Sequence, residues 1–540
     1  MSGPGVEQNA SWRRLSARML LVHPVRELGQ SIPALIGLVL AGRAVGNGQL
    51  WWLGPLGVVG VIAWSVLRWV TTRYRITPAQ VQLRTGLLQR KTITTPADRV
   101  RSVDVTASAL HRLLGLAKVD IGTGSHDPGS GLSLDSLSVA EAAGLRAELL
   151  HRSAVASPDT PGAANTPETP ELGAAPAIGA TEPAVRETEL ARMDPRWVRF
   201  APFTMSGVLG AAAILGIGSR LFDQLGVDAG DVGPIRGGLA YVERNPIWLD
   251  VLQALAALVV LVTVLSIGGY ALSYWGFRLT RHPHGSLHIT RGLLTTRATS
   301  IEERRLRGVE LAEPLLLRVV HAARLSGITT GLKSKGDAEG GSSLLLPPAP
   351  RAVAREVAAR ILRDPTPVDV ALTVHGPAAR RRRISRALLV AFILVVAAGV
   401  AIWWGAPRWL AVPAVLAVPV AAMLAVDRYR SLGHALAGRF LVTRAGSLER
   451  RRDVLECDGI IGWNVRQTFF QRRAGLATLT ATTAAGRQQY SVTDVPLPLA
   501  LSLADRALPG LLGEFLAPPP AGAPRSSWEA TSASATGTPG

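Results

Sequence analysis

The stretch YRITPAQVQLRTGLLQRKTITTPADRVRSVDVTASALHRLLGLAKVDIGTG, residues 74–124, decides the fold. Between Arg75 and Arg84 the apolar residues Ile76, Val81 and Leu83 sit among polar ones, as in a half-buried strand. Thr92 to Thr94, Val103 to Val105 and Val119 to Ile121 are further short β-type runs. Thr77-Pro78, Thr85-Gly86 and Thr95-Pro96-Ala97-Asp98 supply turns between them. A polar Gly/Ser stretch (Gly122 to Gly131) leads to a last strand near Leu132 to Leu137. A helix from Val139 to Arg152 follows, with Ser138 as N-cap and Glu141 in its first turn. The spacing therefore predicts several antiparallel strands closed by a C-terminal helix.

Upstream lies membrane-length apolar sequence. Residues 51–71, WWLGPLGVVGVIAWSVLRWVT, carry Trp51 and Trp52 at one end and Arg68 and Trp69 at the other, as an interfacial belt requires. About 20 residues at 1.5 Å each give about 30 Å, the hydrocarbon thickness. Residues 28–46 form a weaker span with Arg43 near one end. At the bilayer centre an arginine would cost about 2.5–3.5 kcal/mol, whereas near an end it snorkels to the interface. Asn47 to Leu50 join the two segments into an antiparallel hairpin. No small-residue cleavage site closes the first apolar block, so it reads as a retained span.

The same plan recurs twice. The second hairpin is Phe203 to Leu221 and Leu249 to Ser273, with an acidic loop between. The third is Ile384 to Trp404 and Arg408 to Val426, after Arg380-Arg381-Arg382-Arg383. The predicted organisation is a basic segment (1–27), hairpin one (28–72), module one (73–152) and a Pro/Ala/Thr-rich disordered linker (153–195). Hairpin two (196–274), module two (275–364) and a basic linker (365–383) come next. Hairpin three (384–427), module three (428–508) and a disordered tail (509–540) complete it. Modules two and three also end in helices, expected at Arg351 to Arg363 and Leu499 to Ala507.

Composition agrees with a membrane protein. Mean hydropathy is positive, and apolar residues crowd into a few long blocks. A formal charge of +19 over 540 residues fits nucleic acid, an anionic membrane surface or positive-inside loops. The alternation of basic and apolar blocks favours the membrane explanations, and no stacking aromatics are interleaved for nucleic acid. The single cysteine, Cys457, excludes an intrachain disulfide and a cysteine-based metal site.

The modules align residue by residue. One constant shift carries Gly86-Leu87-Leu88 onto Gly292-Leu293-Leu294, Arg99, Arg101 and Val103 onto Arg305, Arg307 and Val309, and Arg112 onto Arg318. In the third copy Phe440-Leu441-Val442-Thr443 matches the opening, Gly446 matches Gly86, and Arg472 with Gly475-Leu476-Ala477 matches Arg112 with Gly115-Leu116-Ala117. There Gly459 and Ile461 replace the two arginines. A period this long means tandem domains, not a solenoid.

The order aromatic-x-(Ile/Leu/Val)-Thr, Gly-Leu-Leu, Arg-x-Arg-x-Val, Leu-x-Arg-Leu-Leu-Gly-Leu-Ala, Thr-Gly resembles the bacterial pleckstrin-homology (PH) family, type 2 (bPH2). The whole chain resembles the multi-span membrane proteins with several such domains, the YdbS/YdbT-like group. The resemblance implies a partly open β-barrel of about seven strands with a C-terminal helix in each module, and no shared catalytic residues. The expected fold is thus an α+β membrane protein with three transmembrane hairpins (six spans), each followed by a PH-like antiparallel β-barrel module.

With six spans, all modules and both termini share one side. Arg13, Arg14, Arg73, Arg75, Arg196, Arg199, Arg380 to Arg383, Arg428 and Arg430 concentrate there, so the positive-inside rule predicts a cytoplasmic face in a multi-pass plasma-membrane protein. The pairs Arg99/Arg101 and Arg305/Arg307 are candidate contacts for anionic headgroups or a partner, at about 1 kcal/mol per charge near a lipid surface. They serve equally as solvated strand faces or as edge charges that block aggregation. Arg380 to Arg383 read as contacts for acidic lipid or nucleic acid, or as a topology signal immediately before a span. His282, His284 and His288 have a spacing open to metal binding, or are an exposed loop without a nearby Cys or carboxylate. No phosphate-cradling loop, nucleophile elbow or His-Glu-x-x-His motif is present. The expectation is a non-catalytic scaffold without cofactor or metal, with the lipid bilayer and proteins as partners and no nucleic acid. A reader of anionic lipid and a channel or transporter with regulatory modules are the alternatives.

Overall fold

The computed structural model describes residues 69–77, 102–122, 132–145, 187–204, 246–283, 285–330 and 343–510 continuously, with parts of 12–20, 59–67, 80–100 and 209–216. Module one contains β1 (Arg13–Arg14), β2 (Arg73–Ile76), β3 (Gln80–Thr85), β4 (Lys91–Pro96), β5 (Ser102–Ala107), the short helix α1 (Ala109–Leu113), β6 (Leu116–Gly122) and β7 (Leu132–Ser138). Residues 139–145 are helical. The Glu141 amide donates to Ser138 Oγ at 3.2 Å and the Ser138 amide to Glu141 Oε2 at 3.1 Å, a complete capping box.

β8 (Thr188–Arg192), inside the stretch read as linker, opens the second repeat, followed by α2 (Ile247–Tyr274). Then come β9 (Arg278–His282), β10 (Ser286–Arg291), β11 (Thr296–Glu302), β12 (Leu306–Pro314), α3 (Leu315–Val319), β13 (Ala322–Thr329), β14 (Leu344–Pro350) and α4 (Arg351–Leu362). The third repeat has α5 (Thr366–Asp369), α6 (Gly376–Trp403), α7 (Ala411–Arg430), β15 (Gly433–Ala437), β16 (Phe440–Ala445) and β17 (Glu449–Glu456). It ends with β18 (Ile460–Arg466), α8 (Phe469–Arg473), β19 (Leu476–Thr483), β20 (Gln489–Pro496) and α9 (Leu497–Ala507).

Among the described residues three helices are long and apolar enough to cross a membrane: Trp248–Tyr274, Gly376–Trp403 and Arg408–Arg430. The other expected spans, 28–46, 51–71 and 203–221, lie largely outside the described residues. α6 begins about two turns before Ile384, so the arginine run is helical. α6 ends just ahead of Gly405, whose φ of +95° suits the position after a helix C-cap, and Trp403, Trp404 and Trp409 stand exposed around the turn into α7.

Every module is two three-stranded halves around a shared core. In module one Tyr74, Val81 and Leu83 of the first half pack with Val103, Val119, Ile121 and Leu134 of the second. The hydrogen bonding does not stop at the module. The strand orders are β1-β2-β3-β4, β7-β6-β5-β11-β10-β9-β8, β14-β13-β12-β17-β16-β15 and β18-β19-β20. The second half of module one continues into the first half of module two, and the second half of module two into the first half of module three. The resemblance implied a barrel within each module; among the described residues no ladder joins the two halves of a module, and strands pair across module boundaries instead, which takes four strand edges out of solvent.

In each repeat a segment lying upstream in the sequence returns to the first strand of the module. β1 pairs with β2, β8 with β9, and Thr373 bridges to His434 in β15. Glycine is required at one repeated hairpin. Gly86, Gly292 and Gly446 have φ of 105°, 108° and 105°, and a Cβ at Gly446 would lie 1.8 Å from the Glu449 carbonyl oxygen.

Candidate functional site at the module junctions

The two junctions obey one register. β5 meets β11 antiparallel with Asp104 opposite Thr299, and β12 meets β17 with Glu310 opposite Asp453. Asp104 and Glu310 are equivalent in the repeat, and so are Thr299 and Asp453. In the first junction burial pushes the Asp104 carboxyl up, and hydrogen bonding from Thr299 pulls it partly back. In the second, two acids face each other and Arg487, from the turn between β19 and β20, lies between them. Its Nη2 donates to both Asp453 carboxylate oxygens at 2.8 Å, and its Nε lies 3.3 Å from Glu310 Oε2. The same turn is fastened to module two by the Gly486 amide, which donates to the Thr329 carbonyl at 3.0 Å.

A second repeated contact ties the short helices to the next module. Arg112 of α1 donates to the Leu293 carbonyl at 2.7 Å, and Arg318 of α3 donates to the Ser447 carbonyl at 3.5 Å. Leu293 and Ser447 each follow the positive-φ glycine of the next module. That turn rests on the base of a membrane helix, since the Gly292 amide donates to the Trp275 carbonyl and the Leu293 amide to the Leu272 carbonyl. Leu293, Leu294, Leu316, Val319 and Leu448 are exposed beside these bases. A cavity of about 500 Å³ opens there, lined by Phe203, Tyr270, Tyr274, Leu315, Leu317 and Pro348 among others.

Asp427, in the last turn of α7, joins three parts of the chain. It takes both arms of Arg318 from module two and Arg450 Nη2 at 3.2 Å from module three. Ser447 Oγ donates to it at 2.9 Å. Asp494, at 2% exposure and a φ of 57°, anchors the start of α6 by accepting from Arg382 at 3.2 Å, Arg383 at 2.8 Å and Gln471 at 2.9 Å. Beside it His375 Nδ1 donates to the Thr493 carbonyl at 2.9 Å, which leaves its Nε2 to accept from His434 Nδ1 at 3.0 Å. Both rings are buried; desolvation pushes His375 down, and desolvation with the neighbouring ring pushes His434 down to about 4.

Of the arginines singled out in the sequence, Arg305 is 2.7 Å from Glu302 and Arg307 is 3.5 Å from Glu456 across the second junction. Arg99 and Arg101 lie outside the described residues. Within the arginine run, Arg382 and Arg383 are held by Asp494, while Arg380 and Arg381 are exposed. The rings of His282 and His288 stack at 5.3 Å, His284 lies outside the described residues, and no group of three metal-capable side chains occurs among those described. Asp427, Asp453, Glu310, Arg487, Asp494 and the His375–His434 pair were not visible as a site in the sequence. The repeat alignment of Arg112 with Arg318 was the available signal, since both arginines have the same task.

The bacterial PH domain family matches residues 25–153, which include module one, and 384–509, which include most of α6, α7 and module three. The second repeat is not in the match, although its strands follow the same order. The UPF0699 transmembrane protein YdbT of Bacillus subtilis (strain 168) is 20% identical over 295 residues, covering 54% of this chain. The aligned part spans 57% of that relative's length. No solved structure matches the chain.

Proposed function

The chain is a membrane protein that carries bacterial PH domains, and from that premise we propose that it is a non-catalytic scaffold whose three PH-like modules form one platform on the cytoplasmic face of the plasma membrane. Three hairpins, six spans in all, hold the modules down, and protein partners bind the side of the platform turned away from the lipid. The pairing of β5 with β11 and β12 with β17 carries this reading, because it makes neighbouring modules one hydrogen-bonded surface. The ion pairs of Arg305 and Arg307 support it, since they commit to neighbouring carboxylates two charges that a lipid reader would present outward.

Two measurements test it. A membrane-impermeant maleimide applied to intact cells is expected to label a Trp404→Cys variant in the short turn and to spare Leu294→Cys until the cells are opened. The reverse pattern would place the platform outside. Cross-linking in native membranes is then expected to retain partner proteins on the native chain and to lose them on Glu310→Lys, which sets a cation against Arg487 and Arg451 at the second junction. An unchanged set of partners would remove the platform from their binding.

A second reading, contact with lipid, is favoured by the exposed Leu293, Leu294, Leu316, Val319 and Leu448 at the helix bases. This contact is apolar, and its signature is retention of lipid through high salt, where headgroup binding by arginines would be screened.

A further inference from the structure

The two junctions are one interface used twice, and the chain has its two halves left over. In modules one and two the strand before the short helix, β5 or β12, receives the third strand of the following module. The equivalent strand of module three is β18. Among the described residues it is bonded to β19 alone, and its outer edge has no partner. At the other end of the chain β4, the equivalent of β11 and β17, is bonded among the described residues to β3 alone.

Exposure records the missing neighbours. In β12 the residues Val309, Leu311 and Ala312 are at 1%, 5% and 2% exposure. Their counterparts in β18 are Trp463, half-buried, and Val465 and Arg466, both exposed. In the receiving strands Ser300 and Val454 are buried, whereas the equivalent Thr94 of β4 is exposed. Arg112 and Arg318 reach into the next module, but their counterpart Arg472 is exposed and has no partner among the described residues. Phe469 and Phe470 beside it are exposed as well. An uncovered strand edge with apolar and β-branched residues is a template for another strand, and here the matching strand exists in the same sequence.

We propose that the chain assembles head to tail with further copies of itself, β18 of one copy pairing with β4 of the next. The occupant is a second copy because the chain already makes this pairing at both internal junctions. It rests on the platform reading and extends the platform from one chain to several. The repeat alignment sets the register: Asn464, equivalent to Asp104 and Glu310, lies opposite Ile93, equivalent to Thr299 and Asp453. In that register Arg466 falls opposite Lys91, two exposed cations at the end of the ladder, so moderate salt favours the pairing. The interface is heterologous, and because every copy keeps its helices in one bilayer, successive copies are related about the membrane normal and form a ring where that rotation divides a full turn.

The test is disulfide trapping in membranes between full-length copies with different tags. One copy carries Asn464→Cys and the other Ile93→Cys, and a Thr92→Cys copy is the register control. Cys457 stays in place in all, since it is buried and its thiol is pushed up to about 11, which leaves it unreactive. A separate chain with Asp104→Cys and Thr299→Cys reports the internal junction by loss of maleimide labelling after oxidation. The expected result is a product joining the two tags for Asn464→Cys with Ile93→Cys, several-fold above the Thr92→Cys control. Its absence while the internal pair closes would overturn the proposal and leave the platform standing, as would a product indifferent to register. If the internal pair also stayed open, platform and proposal would fall together. Should either cysteine variant fail to accumulate, the mass of the native chain extracted in mild detergent decides: multiples of one chain support the assembly, and monomers at all concentrations overturn it.

Discussion

Arg318 and Asp427 form a two-pronged ion pair, Nη1 to Oδ2 at 3.2 Å and Nη2 to Oδ1 at 3.1 Å, between a short helix of module two and the base of α7. The planar guanidinium matches the carboxylate fork, which lysine cannot do. Asp427→Asn leaves Arg318 and Arg450 facing each other without a countercharge. Both partners are about a fifth exposed, so the loss is expected at about 2 kcal/mol, below the figure for a fully buried pair. Chemical unfolding of the solubilised chain measures it. Arg318→Gln combined with Asp427→Asn should cost less than the sum of the two, by about 1 kcal/mol; strict additivity would mean that the pair does not couple module to helix.

The His375–His434 bond makes the third repeat sensitive to acid. Arg383 and Asp494 lie beside His375, and Arg506 acts on His434. Both rings have folded-state pKa values below the unfolded value of about 6.5, so the unfolded chain binds more protons in this window. Stability is therefore full above pH about 6.5 and falls as pH drops toward 4. For His434 the fall amounts to about 3 kcal/mol at the low end. Melting profiles between pH 8 and pH 4.5 should show the slope, and His434→Gln should flatten it; an equal slope in both proteins would assign the acid sensitivity elsewhere.

The strands of module one were legible because alternation such as Ile76, Val81 and Leu83 states which side of a strand faces the core. Alternation says nothing about which edge meets which, so the pairing of β5 with β11 was invisible. β1 is only Arg13–Arg14, and β8 is the charged Thr188–Arg192; neither shows the apolar alternation that marks a strand. The junction charges were hidden by distance: Arg318 and Asp427 are 109 positions apart, and Arg307 and Glu456 are 149. Local sequence shows an arginine as exposed until the carboxylate that meets it is known.

Arg487 is the countercharge for two acids, Glu310 and Asp453, from neighbouring modules. Burial and the Glu310 carboxylate push Asp453 up, and the doubly bonded guanidinium opposes them. Removing it by Arg487→Gln should cost about 3 kcal/mol at pH 8. The deficit should shrink toward pH 6, because the acid pair can then keep a shared proton. Thermal shift across that range, with Arg487→Gln/Asp453→Asn as the rescue, checks the assignment. A deficit independent of pH, or absence of rescue, would mean that Arg487 acts through packing on Tyr490, whose ring centroid is 5.0 Å away.

Gly446 and Gly438 separate two penalties that a glycine can avoid. Both have positive φ, 105° and 55°, so alanine at either is conformationally disfavoured. At Gly438 an added Cβ meets nothing within 4 Å, and Gly438→Ala should cost about 1 kcal/mol. At Gly446 the same atom would meet the Glu449 carbonyl oxygen at 1.8 Å. The hairpin must then open at the point where Ser447 and Leu448 meet α3 and Asp427. Gly446→Ala is expected to cost about 3 kcal/mol and to weaken the Arg318–Asp427 coupling with it. Equal losses at the two glycines would mean that the turn gives way without moving the junction, and that the repeated glycine serves its own hairpin alone.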